Sequence, residues 1–305
     1  MLVVDLVLIF KSPKLGKTTK YFMFNNETEI ESAYQEAINF AKSHYENFPV
    51  ISFLLPKNIR KDVAVIYQFA RQADDIADEG DLSPDERLKQ LEEYRNSLIQ
   101  SLEGNPSNKF WASLAQTIKD KKLTSSNFLK LLSAFEQDVT KKRYNDFTEL
   151  QNYCDNSANP VGRIILELHG IFDAEAIQYS DSVCTALQLT NFYQDVSIDI
   201  QKNRIYIPNN ELQNFSITEN RFLLKEINVN FMHLMQFQIE RAEKLFDNGS
   251  NLLTKLPWRL KRQIAWTIKG GEAILKKIRN YNFDVLNFRP TLSKKDFIKL
   301  LFGIN

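Results

Sequence analysis

Val63-Ala-Val-Ile-Tyr-Gln-Phe-Ala-Arg-Gln-Ala-Asp74-Asp75-Ile-Ala-Asp78 carries apolar residues at Val63, Ile66, Tyr67 and Ala70. That is the three- and four-residue spacing of one helix face. Continued at the same spacing, the stripe meets Asp74, Ala77 and Asp78. Carboxylates therefore extend the face expected to turn inward. Asp74 and Asp78 lie one turn apart, and like charges so placed weaken a helix by about 0.2–0.5 kcal/mol even in water. Burial adds a larger cost unless a counter-charge neutralises them.

A second stretch repeats the anomaly. Ser182-Val-Cys-Thr-Ala-Leu-Gln188-Leu-Thr-Asn191-Phe-Tyr-Gln194-Asp195-Val-Ser-Ile-Asp199 is apolar almost all round, which predicts an interior helix. Yet Gln188, Asn191, Asp195 and Asp199 form one polar line at spacings of three, four and four. Either cluster alone reads first as a solvated helix face. Two such rows of oxygen donors on buried helices, about 120 residues apart by the sequence numbering, favour a shared Mg²⁺ site. The donors are all oxygen, which suits Mg²⁺ rather than zinc or copper. Mg²⁺ keeps several waters and binds few carboxylates plus substrate phosphate oxygens, so a phosphate-bearing substrate is implied.

The rest of the chain supports a helical enzyme. Gly and Pro number 9 each in 305 residues, about half the usual share, which argues against folds built from many tight turns. Helices are expected near 29–43, 60–77, 84–102, 107–120, 125–139, 146–170, 173–199, 217–253, 257–279 and 292–302. Ser83 before Pro84-Asp85-Glu86 reads as an N-cap. Residues 1–26 look unlike the rest and are expected to lie outside one all-α domain spanning 27–305. Cys154 and Cys184 lack metal or redox spacing and read as reduced core thiols, which points to the cytoplasm. The three histidines form no zinc-binding pair, and no apolar run is long enough to span a bilayer.

The 39 basic and 38 acidic residues give a net charge of +1 and no global nucleic-acid signal. The charge is uneven, however: residues 255–305 hold 12 basic and 3 acidic side chains, or +9. This basic segment, with Trp258, Leu260, Ile264 and Trp266, is expected to allow peripheral association with an anionic inner-membrane surface; a solvated helix face is the plainer reading. Arg71 and Arg204 are the cations nearest the acidic rows. Arg71 reads either as a phosphate contact or as a local partner of Asp74 or Asp75. A diphosphate clamped by metal leaves readily, and the carbocation left behind is stabilised by aromatic faces. The 22 Phe and 11 Tyr supply such faces, though most are ordinary core.

Several ordered motifs resemble the squalene/phytoene synthase family. They are Tyr67-x-x-x-Arg71-x-x-Asp74-Asp75-x-x-Asp78, Gln188-x-x-Asn191-x-x-x-Asp195-x-x-x-Asp199, Arg204-Ile-Tyr206-Ile-Pro208, and Tyr153 nine residues before Gly162. The resemblance covers about residues 30–300. It implies a class I isoprenoid synthase helical bundle with a central cavity and two facing Asp-rich helices. By this resemblance Asp74, Asp78, Asp195 and Asp199, with Asn191, carry Mg²⁺ and diphosphate. Arg71, Tyr206, Asn191 and Gln188 help hold the diphosphate, and Tyr67, Tyr153 and Phe48 line the cavity.

The chain is most similar to the bacterial hydroxysqualene synthase branch, through His44-Tyr-Glu-Asn47-Phe48-Pro49-Val, Asn159-Pro-Val-Gly-Arg163 and Leu189-Thr-Asn-Phe-Tyr-Gln194-Asp195. The branch implies ionisation of presqualene diphosphate and capture of the rearranged cation by water to give hydroxysqualene, on the route to squalene and hopanoids. Pathway enzymes that supply the diphosphate and reduce the alcohol are implied partners. The nearest alternative is head-to-head condensation of farnesyl or geranylgeranyl diphosphate. A non-catalytic assembly factor of the same fold is a third reading, disfavoured because both acidic runs are intact. Phytoene-type relatives usually carry Arg where this chain has Gln194, which is expected to remove one diphosphate-facing charge.

Overall fold

The computed structural model describes residues 27–44, 56–293 and 296. The expected N-terminal extension, Phe48 and most of the last expected helix lie outside the described residues. Among the described residues there is no strand, and the all-α expectation holds.

In chain order the helices are α1 (Glu27–His44), α2 (Arg60–Asp78), α3 (Pro84–Leu102), α4 (Lys109–Asp120), α5 (Ser125–Thr140), α6 (Phe147–Ser157) and α7 (Asn159–Leu168). There follow α8 (Ala174–Gln194), α9 (Val196–Asp199), α10 (Asn209–Asn214), α11 (Glu219–Leu223), α12 (Val229–Gly249) and α13 (Trp258–Asn280). Side-chain caps set many of the starts. Ser83 accepts from the Glu86 N–H while Glu86 accepts from the Ser83 N–H, a reciprocal capping box on α3. Asn108, Asp146, Asp173 and Asn228 each accept an N–H from the first turn of α4, α6, α8 and α12.

Three expected long helices are broken. The 146–170 helix stops at Ala158 and restarts at Asn159, with Pro160 in the new first turn, where its missing N–H costs nothing. The 173–199 helix is interrupted at Asp195, with φ −100° and ψ 10°. The 217–253 helix breaks after Leu223, where Lys225 takes a left-handed φ of 59° before the Asn228 cap.

The chain divides into two compact units. The first holds α1 to α5 and residues 163–172. Its core packs Phe69 against Phe128 and Tyr94 against Trp111, at ring-centroid distances of 5.5 and 4.6 Å. Buried Asp62 is paired with Lys121 at 3.2 Å. The second holds residues 141–162 and the chain from Asp173 onward. At its centre α8 is buried without interruption from Val183 to Gln194, as an all-round apolar helix should be. Glycines let neighbours approach it closely. A Cβ on Gly162 would lie 2.4 Å from Ser180 Oγ, and one on Gly249 would lie 3.0 Å from the Val183 backbone nitrogen. Cys154 and Cys184 are buried thiols of this unit and form no disulfide, as expected.

Candidate active site

The first acidic set sits on the last two turns of α2. Tyr67 is buried, its ring 6.4 Å from that of Phe40. Arg71 lies three and four residues before Asp74 and Asp75, so its guanidinium reaches forward along the helix to both. Its nitrogens lie 3.4 Å from Asp74 Oδ2, 2.7 Å from Asp75 Oδ1 and 2.6 Å from Glu79 Oε1. One cation thus holds three carboxylates. Burial pushes the Asp75 carboxyl up to about 6; Arg71 opposes the rise, while the charges of Glu79 and Asp74 add to it. Asp74 is half-buried, whereas Asp78, the last residue of α2, is exposed. The buried stripe therefore ends at Ala77, one residue before the helix does, and the side chain of the final residue meets solvent. Arg87 secures that end by donating to the carbonyls of Ile76, Glu79 and Gly80 at 2.7–3.0 Å.

The second acidic set lies where α8 runs into α9. Gln188 and Asn191 are each 2% exposed. Gln188 Oε1 and both polar side-chain atoms of Asn191 have no hydrogen-bond partner among the described residues. Buried amides are normally satisfied, so these are ligand-seeking groups. Asp195, one turn on, is buried and paired with Arg289 through Nε and Nη2. Asp199 follows a further turn on, its backbone N–H donating to the Asp195 carbonyl at 2.9 Å. Burial pushes the Asp199 carboxyl up to about 7; the Asp195 charge adds to the rise and Arg204 opposes it. Arg204 is itself buried, and its N–H donates to the Asp199 carbonyl at 2.8 Å.

An aromatic wall stands in the same unit. Tyr206 stacks on Phe192 at 3.8 Å and 8°, and on Tyr144 at 5.8 Å. The Tyr153 ring lies 6.1 Å from both Phe192 and Tyr206. The fold of this unit therefore brings together Tyr153 and Tyr206 with Phe192, whose chain neighbour is Asn191.

The amide oxygens of Gln188 and Asn191 and the carboxylates of Asp195 and Asp199 are hard donors that fit Mg²⁺. Among the described residues no three His, Cys, Asp or Glu side chains cluster as a metal site of their own. Sequence reasoning missed Glu79 beside the first acidic set, and Tyr144, Phe192 and Arg289 beside the second. Phe192 lay inside the quoted stretch, next to Asn191. Arg289 had no local signal, since its partner is 94 residues away. Gln194 also differs from expectation: its amide is not merely a lost charge but donates to the Pro290 carbonyl at 2.6 Å.

The sequence profile of squalene/phytoene synthases matches residues 41–296. The hydroxysqualene synthase of Sinorhizobium fredii is 31% identical over 262 residues, covering 85% of this chain and 87% of that protein. A phytoene synthase of Mycobacterium bovis is 27% identical over 235 residues, covering 76% of this chain and 77% of its own. The crystal structure of squalene synthase HpnC from Alicyclobacillus acidocaldarius superposes with a TM-score of 0.80 at 33% identity, covering 85% of this chain and 97% of that one.

Proposed function

Because the chain belongs to the squalene/phytoene synthase family and has the all-α isoprenoid synthase fold, we propose that it is a Mg²⁺-dependent hydroxysqualene synthase. The reaction is a carbon–oxygen lyase step on presqualene diphosphate. The carbon–oxygen bond breaks, the electron pair leaves with diphosphate, and the cation rearranges. A water oxygen then bonds to it and loses a proton, giving hydroxysqualene. The observation that carries this reading is the 31% identity to a hydroxysqualene synthase over 85% of the chain.

Asp74, Asp78, Asp195, Asp199 and Asn191 would hold Mg²⁺, which when bound neutralises the charge developing on the departing diphosphate. The Gln188 and Asn191 amides help hold the diphosphate: Asn191 Nδ2, without a partner among the described residues, donates to a diphosphate oxygen, while the unpartnered Gln188 Oε1 accepts from a water of the hydrated anion. Arg71 and Tyr206 contribute donors to the same anion. The clustered rings of Tyr206, Phe192 and Tyr153 offer aromatic surface that favours a cation beside it and keeps bulk water away. Tyr67 is assigned to the apolar lining in this proposal; Phe48, assigned with it by the resemblance, lies outside the described residues.

The similarity to a phytoene synthase supports a second reading, head-to-head prenyl transfer. One assay separates the two. Purified protein with Mg²⁺ should convert presqualene diphosphate to hydroxysqualene, read by mass spectrometry. Turnover of farnesyl diphosphate alone would overturn the assignment while sparing the family. Inertness toward both would favour the non-catalytic reading.

Peripheral membrane binding at the cytoplasmic face is part of the proposal. Among the described residues no helix is long and apolar enough to cross a membrane. The start of α13 carries Trp258, 63% exposed, beside exposed Arg259, Lys261 and Arg262. No acidic residue occurs from Ser250 to Lys269. Arg259 lies 5.1 Å from the Trp258 ring and Arg262 5.0 Å from the Trp266 ring. An aromatic side chain among cations suits an anionic lipid interface. Leu260, expected on that surface, is buried instead, because it falls on the core-facing side of α13. The protein should float with anionic vesicles at low salt and be released at high salt. Binding that ignores both salt and lipid charge would reject this element.

A further inference from the structure

Gln194 and Asp195 are consecutive at the end of α8, and their side chains engage consecutive residues almost a hundred positions later. Gln194 Nε2 donates to the Pro290 carbonyl at 2.6 Å, and Arg289 donates through Nε and Nη2 to Asp195. Further along, Lys277 Nζ donates to the Thr291 carbonyl at 2.8 Å and pairs with Asp296 at 2.8 Å. Asp296 in turn accepts from the Ser293 N–H and hydroxyl. Residues 289–293 therefore form a strap tied at nearly every position. Pro290 stiffens it, because proline fixes its own φ and restricts the residue before it, Arg289.

The strap answers an electrostatic problem. Asp195 is 6% exposed and stands at the C-terminal end of a helix, where the backbone carbonyls already repel a carboxylate. It needs a cation, and Arg289 supplies one through two nitrogens. The Arg289 side chain is long and one-third exposed, so where its backbone is held matters. The adjacent Pro290 carbonyl is one such anchor, and the group that grips it is Gln194, itself 6% exposed. A neutral amide does this without adding a second cation beside Asp195. We infer that Gln194 is a positioning residue: by holding the Pro290 carbonyl it sets Arg289 against Asp195 as a stand-in counter-ion. The consequence for metal binding rests on the Mg²⁺ reading above. A divalent cation that takes Asp195 must displace Arg289, and Gln194 determines how firmly Arg289 resists.

Hydrogen–deuterium exchange on the full-length protein tests the strap without metal. Gln194→Ala should raise exchange in residues 288–293 about tenfold and leave residues 183–192 of α8 unchanged. Gln194→Arg, which keeps a donor of sufficient length, should restore protection. Arg289→Ala should leave the strap protected, because the Pro290 and Thr291 anchors remain. Equal exchange in wild type and Gln194→Ala, or failure of Gln194→Arg to rescue, would overturn the inference. Titration of each protein with Mg²⁺ in the presence of inorganic diphosphate supplies the second readout. Gln194→Ala and Arg289→Ala should each bind at least threefold more tightly than wild type. Absence of Mg²⁺ binding in all of them would strike the metal reading, whereas the exchange result judges Gln194 independently.

Discussion

Asp195→Ala should lower turnover of presqualene diphosphate by roughly a thousandfold, the scale set by removing one group that stabilises charge in a transition state. The argument starts from burial. Asp195 is a nearly inaccessible carboxylate among unsatisfied amide groups of Gln188 and Asn191, one turn before Asp199. In the proposed reaction it is a principal oxygen ligand, and alanine supplies none. The cost to the fold should be small by comparison. Its partner Arg289 is one-third exposed and can return to water, so the stability loss should be about 1 kcal/mol or less. Product analysis and urea unfolding on the same preparation separate the two effects. Near wild-type activity in a folded Asp195→Ala protein would remove this residue from the proposed site. Asp195→Asn, equal in shape but neutral, should be nearly as inactive, because charge and not volume is what the position provides.

Glu211→Ala is expected to cost about 3–5 kcal/mol of stability, the range for breaking a buried ion pair by deleting one partner. Glu211 on α10 accepts from both terminal nitrogens of Arg241 on α12 and from the Gln238 amide. Gln238 is wholly buried, and its oxygen accepts from Arg241 at 3.1 Å and from the Tyr193 hydroxyl at 3.0 Å. Burial pushes the Tyr193 phenol well above its usual range, so it remains a neutral donor. The Arg241 guanidinium is pinned between rings, 3.9 Å from Phe147 and 4.7 Å from Phe237. Without Glu211 the cation stays trapped and unpaired. The network also ends on Tyr193, the residue before Gln194 and Asp195, so its loss should loosen the turn that presents them. A Glu211→Leu/Arg241→Met pair should recover most of the stability, since two apolar groups leave no orphaned charge. A loss below 1 kcal/mol in the single variant, measured by urea unfolding, would show that the pair is not sealed from water.

Asp75 and Asp199 illustrate how far local pattern reaches. Spacing alone places Asp75 beside Arg71, and the structure keeps them together. The same spacing could not foresee that Asp199 lies beyond a break in the helix, or that burial pushes its carboxyl up to about 7. Asp78 shows the opposite error, since periodicity assigned it inward while the end of α2 leaves it exposed. Periodicity assumes that a helix continues, and termination depends on contacts such as the Arg87 clamp that lie outside the repeat.

Helical class, the two acidic rows, the Ser83 cap and the buried character of α8 were all readable from residue order, because each depends on interactions within a few turns of one helix. The pairing of Arg289 with Asp195, the grip of Gln194 on Pro290, the Tyr144–Tyr206–Phe192 stack and the buried Glu211–Arg241 pair were decided only by tertiary structure. Their partners lie between 14 and 96 residues apart, and no local periodicity links such positions. Chain folding alone brings them within reach, and burial there makes the Glu211–Arg241 pair costly to break.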